Sequence, residues 1–163
     1  MQSMPFFGII AISATFVVTL GEIDLSFPSI VGITSLIFGI IMTSTDGNFF
    51  IAFILATSLG MFAGLVNGLL VTKIGIPSIV ATIGTLFFWR GLVNVISQGS
   101  GIAIVDVADG TWHHMIFVEK LFGKIPMQFI WFIVLTGLMQ WVYRYHKFGN
   151  HIHFVGDNKA SAQ

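Results

Sequence analysis

The chain has no cysteine, which removes a disulfide framework, a thiolate metal site and a cysteine nucleophile together. Charge is almost as scarce. Only 9% of the 163 residues are Asp, Glu, Lys or Arg, against about 25% in an ordinary soluble domain, too few to coat a surface facing water. Seven acidic residues balance seven basic ones, so no basic field draws in nucleic acid and no nucleic-acid partner is expected. An internal repeat is missing, as are the G-x-S-x-G elbow and the G-x-x-x-x-G-K-[ST] loop. The chain therefore has no phosphate grip of its own, and no catalytic residue is expected. Apolar residues take up the room: they make up 55% of the chain, with 17 phenylalanines. That composition predicts an all-α membrane protein.

Five apolar stretches stand out against the roughly 20 residues that cross a bilayer's hydrocarbon core: 6–20, 27–43, 49–72, 76–96 and 125–142. The first two are short, and the window 21–28 between them holds Gly21, Glu22, Asp24 and Pro28. One straight helix over 6–43 would run about 57 Å, nearly twice the membrane, so the chain is expected to break and turn there. Lys and Arg in short loops set orientation. Arg144, Lys147 and Lys159 send the tail to the cytoplasm, which puts residues 97–124 outside as a periplasmic loop, Lys73 inside and the 21–28 break toward the cytoplasmic side.

Glu22 and Asp24 are the costliest residues if they lie at depth, since an ionised carboxylate costs at least ~2.5 kcal/mol at a helix centre. Ser26 suits an N-cap and Pro28 a first turn, which would start a half-helix with its positive end beside Asp24. Short, interrupted segments of this kind mark the substrate path of transporters. Three readings stay open: a capped turn in water, direct contact with the solute, or a gate or hinge, with Asp24, Ser26, Asn67 and Thr82 as candidate residues of the substrate path or gate. In the third segment, Ala56, Gly60, Gly64 and Gly68 recur every four residues, predicting a ridge where another helix approaches closely, with Asn67 beside it to hydrogen-bond across. The fourth opens at Pro77 and offers Ser78, Ala81, Thr82 and Thr85 as a second small-residue face; for Arg90 three roles stay open, lining an aqueous path, pairing with an outer-loop carboxylate such as Asp106, or snorkelling outward beside Trp89. His113 and His114 lie near Asp106, Asp109 and Glu119, but adjacent histidines point apart, so no metal site is expected.

The tail from Tyr143 begins as an interfacial aromatic and basic belt and stays mildly amphipathic beyond Phe148. Asp157 or Asn158 would cap a further helix, cut short at Gln163.

Taken in order, these features resemble the permease subunits of bacterial ABC importers for simple sugars, of the ribose/xylose/galactose type. Gly21-Glu22-Ile23-Asp24-Leu25-Ser26 is similar to that family's G-G-I-D-L-S element, with Glu22 in place of the second glycine. Asn67-Gly68-Leu69-Leu70-Val71 with Lys73 comes next, then the run from Ile76-Pro77-Ser78 to Thr85, followed by Arg90-Gly91. Phe148-Gly149 through Gly156 and Asn158 is similar to the family's F-G-R-Y-I-Y-A-x-G-G-N stretch, with Asn150, His151, His153, Asp157 and Lys159 as departures. The resemblance implies a type II importer permease in the bacterial inner membrane, crossing it several times beside a second permease copy and surrounded by lipid. It implies a periplasmic sugar-binding protein that delivers a monosaccharide, and ABC ATPase subunits that bind the ATP, leaving this chain without a cofactor. Phe148, Gly149, Gly156 and Asn158 would belong to the ATPase contact in residues 143–163. Chains of that family are longer, with further spans before and after, so the 163 residues read as a partial permease domain. Competing expectations are a permease for a nucleoside or branched-chain amino acid, and a proton-coupled carrier using Glu22 and Asp24.

Overall fold

A computed structural model describes residues 4–157, so Asn158 lies outside the described residues, while Asp157, the other expected cap, belongs to the helix Lys147–Asp157 instead of preceding a new one. Two compact units emerge, residues 1–22 with 110–163 and residues 23–109.

The second unit is built from α2 (Phe27–Ser44), α3 (Phe49–Thr72) and α4 (Ser78–Ser97), with the short α5 (Val105–Ala108). Each of the three long helices has the length and apolar composition to cross a membrane. Asn48 caps α3 by accepting the Ile51 N–H at 3.2 Å. The α2–α3 turn needs Gly47: its φ is +86°, and a Cβ there would meet the Val107 carbonyl oxygen at 2.8 Å. α2 packs on both α3 and α4. One core cluster joins Ile33, Ala63 and Trp89, and a second joins Met42, Ala52 and Ala108. Most other apolar side chains on α3, such as Phe53, Met61 and Leu65, are exposed, as expected of a helix whose solvent is lipid.

The first unit contains α1 (Met4–Thr19), α6 (Trp112–Phe117), the strands β1 (Lys120–Leu121) and β2 (Ile125–Pro126), α7 (Met127–Tyr145) and α8 (Lys147–Asp157). α1 packs on α7. They approach closely at Gly8, where a Cβ would overlap the Phe132 ring, and Thr19 and Tyr143 share a hydrogen bond of 3.1 Å between hydroxyls. At 16 residues α1 is shorter than a full span, and α7 carries Gln128, Gln140 and Arg144 within its 19. The stretch 97–124, expected as a plain polar loop, instead contains α5, α6 and the first strand of a hairpin pairing Lys120 with Pro126 and Leu121 with Ile125. Phe117 stacks on Trp131, whose Nε1 donates to the Ile116 carbonyl at 3.0 Å, tying α6 to α7.

Candidate functional site

The break between α1 and α2 is where backbone groups lose their helical partners. Gly21, at φ +74°, closes α1 as a left-handed glycine closes helices generally, with the Glu22 N–H returning to the Val17 carbonyl at 3.2 Å. The next N–H groups are satisfied by side chains of another helix. α4 supplies hydroxyls: the Ile23 N–H donates to Ser78 Oγ and the Leu25 N–H to Thr82 Oγ1, both at 3.2 Å. Thr82 passes its own proton to the Ser78 carbonyl at 2.7 Å.

Ser26 stands at the N-cap position of α2 and Pro28 in its first turn, but the Ser26 side chain makes no capping bond. The expected cap is replaced by a chain of three residues. Asp24 Oδ1 accepts the Ser26 N–H at 2.7 Å and the Ser26 hydroxyl at 2.6 Å, a carboxylate bonding the backbone two residues on. Ser26 Oγ, its single proton spent on Asp24, accepts Asn67 Nδ2 from α3 at 2.7 Å. Ser26 is fully buried, with Asn67 and Thr82 nearly so, while Asp24 is half-buried. Asn67 Oδ1 is buried with no hydrogen-bond partner among the described residues. Thus Asp24, Ser26, Asn67 and Thr82, singled out one by one from the sequence, form one polar clasp, joined by Ser78.

The ridge expected at Ala56, Gly60, Gly64 and Gly68 divides within this chain. Ala56 is buried and a Cβ on Gly60 would lie 3.4 Å from Thr34 on α2, while Gly64 and Gly68 have nothing within 4 Å among the described residues. A strict interval of four precesses about 40° per step around a helix of 3.6 residues per turn, so the later glycines rotate off the face. The packed stripe within the chain is Ala52, Ala56, Ala63 and Asn67.

Ala56 and Gly60 instead help line an open groove of about 990 Å3 among α2, α3, α4 and the 100–104 segment. Thr34, Ser35, Thr57, Ser97 and Ser100 bring hydroxyls to it. Ser and Thr recurring on otherwise apolar segments are its signal in the sequence, one too diffuse to single it out. Arg90 is exposed. Of the tail residues, Phe148 is exposed and Gly149 buried, both at the start of α8, which also includes Gly156. Gly149 has a steric reason: a Cβ would run into the Tyr143 carbonyl, with the Val142 carbonyl oxygen at 2.7 Å.

Comparison with known proteins decides the family. Residues 1–163 match the family described as branched-chain amino acid transport system / permease component. The chain belongs to this permease family. It is 31% identical over 160 residues to the autoinducer 2 import system permease protein LsrC of Photorhabdus luminescens, an alignment covering 95% of this chain and 45% of that protein. The LsrD permease protein of the same kind of import system in Klebsiella pneumoniae is 28% identical over 157 residues, covering 96% and 47%. LsrC of Yersinia pseudotuberculosis is 32% identical over 155 residues, covering 95% and 42%. The chain thus spans less than half the length of these relatives. No solved structure matches it significantly. The expected likeness to importer permeases holds, and the three apolar helices of 23–109 fit this family's membrane setting.

Proposed function

We propose that this chain is part of the transmembrane subunit of an ATP-driven importer in the bacterial inner membrane, carrying a monosaccharide-like solute. The observation that carries the reading is the clasp: a break whose backbone N–H groups are held by hydroxyls of another apolar helix, the arrangement that lets non-helical chain exist at membrane depth beside a solute path. The relatives, named as permeases of an autoinducer 2 import system, support an import role. In this reading a second permease copy completes the pathway, a periplasmic sugar-binding protein delivers the solute, and ABC ATPase subunits bind and hydrolyse ATP. Residues 97–124 face the periplasm. Phe148 and Gly149, with Gly156 and Asn158 further on, lie in the 143–163 region that touches the ATPase.

The test uses the full-length protein in inverted and right-side-out membrane vesicles with its neighbouring ATPase and binding protein. Uptake of ribose, xylose, galactose or autoinducer 2 that requires ATP supports the proposal. Uptake driven by a proton gradient without ATP would overturn it in favour of a carrier using Glu22 and Asp24.

A further inference from the structure

Serine and threonine on apolar helices usually hide their hydroxyl by donating it to the carbonyl one turn back. This chain follows the habit at Ser13, Thr15, Thr19, Thr34, Thr43, Thr72, Thr82 and Thr136. Ser35 on α2, Thr57 on α3 and Ser100 after α4 depart from it. All three line the 990 Å3 groove, and none makes a side-chain hydrogen bond among the described residues. Around them the wall is apolar, with Leu36, Phe38 and Met61, and no charged side chain contributes to it.

The geometry points to a binding site for a neutral, hydroxyl-bearing solute of monosaccharide size, held by the Ser35, Thr57 and Ser100 hydroxyls against the Phe38 and Met61 wall. This inference deepens the transport reading and rests on it. Free hydroxyls both donate and accept, which matches a solute whose own hydroxyls do the same, and apolar surface matches the C–H face of a sugar ring. The volume lies within the range of small-molecule pockets. A zwitterionic amino acid fits badly: its ammonium and carboxylate would enter a wall without a countercharge, and burying an unpaired charge is far costlier than burying a hydroxyl that finds a partner. Closeness to the clasp gives the site a means of response. Ser26 and Ser35 stand on one helix, about 14 Å apart by helical rise, and α3 brings both Asn67 and Thr57.

The experiment introduces Ser35→Cys or Thr57→Cys into the full-length protein, in a background free of other cysteines, and follows labelling by a water-soluble thiosulfonate reagent in membrane vesicles. Ribose, xylose, galactose and autoinducer 2 are each compared with leucine as protectants. The expected result is labelling slowed by at least one of the neutral solutes and unaffected by leucine. Equal rates with every solute, or protection by leucine, would overturn the inference. Protection that persists where ATP-dependent uptake fails would keep this site and remove the transport reading instead, so the two fail separately. The milder Thr57→Val, which keeps the side chain's shape, gives a second measurement: KM for the neutral solute should rise about tenfold, the loss of roughly one hydrogen bond. An unchanged KM also overturns the assignment.

Discussion

The Asn67 amide on α3 donates to the hydroxyl of Ser26 at the mouth of α2, 2.7 Å away and 41 residues earlier in the chain. With Ser26 fully buried, this bond ties the start of one apolar helix to the C-terminal half of another. Asn67→Leu removes it while keeping the volume roughly constant. The expected cost is about 1 kcal/mol, the scale of hydrogen bonds between membrane helices, read as a lowered unfolding midpoint of the full-length protein in detergent.

Asp24 serves as an acceptor for Ser26 twice over. Asp24→Asn keeps an oxygen in place, whereas Asp24→Ala leaves both Ser26 groups without it. Uptake in vesicles should therefore fall in the order wild type, Asn, Ala, with assembly of the complex retained for Asn. Equal loss in the two variants would assign the role to the negative charge rather than to the hydrogen bonds.

Neighbouring positions on α3 should respond oppositely to the same added bulk. Ala63 is fully buried in the cluster with Ile33 and Trp89, so Ala63→Leu should overpack the core and cost about 1–3 kcal/mol. Gly64 has nothing within 4 Å, and Gly64→Leu should leave the thermal unfolding of this chain nearly unchanged. If Gly64→Leu nevertheless abolishes uptake, that face meets another helix of the assembled importer.

At the α7–α8 corner, Gly149→Ala places a methyl against the Tyr143 carbonyl, so the first turn of α8 has to shift. The expected outcome is uncoupling: ATP hydrolysis continues in reconstituted complexes while solute uptake drops severalfold. Preserved coupling would detach this corner from the ATPase contact.

His113 is buried in α6, and its pKa lies below the ordinary value, chiefly through desolvation and secondarily through the neighbouring His114 charge. The fold thus favours neutral imidazole. Above about pH 6.5 both folded and unfolded loops carry it neutral and its contribution is intact. As pH falls from there toward the lowered folded value, the unfolded loop takes up the proton first and that stability is lost. Amide exchange over residues 112–117 should accelerate between pH 7 and pH 5, and His113→Phe should blunt the acceleration.

The chain's broad plan was readable because its signals are strong and local. Apolar runs gave the spans, and Gly21, Asp24 and Pro28 marked the break. Asn67 and Thr82 stood out as polar residues on greasy segments, but their partners lie 41 and 57 residues away, a distance that no periodicity encodes. The four-residue interval on α3 drifts around the helix, whereas the stripe buried within this chain, Ala52, Ala56, Ala63 and Asn67, alternates steps that keep one face. The groove was hidden for a related reason: it depends on which hydroxyls fail to bond their own helix. The hairpin of Lys120 and Leu121 with Ile125 and Pro126 was invisible because two residues per strand are too few for alternation to register.

The clasp also constrains how such a chain is made. Since Ile23 and Leu25 find their acceptors on α4 and Ser26 finds its donor on α3, the first half of the sequence cannot come to rest in lipid when it leaves the ribosome. Some 40 to 60 residues of later synthesis have to arrive before those peptide groups find the partners seen in the fold. Biogenesis here is a cooperative hand-over of several helices together rather than a queue of independent ones.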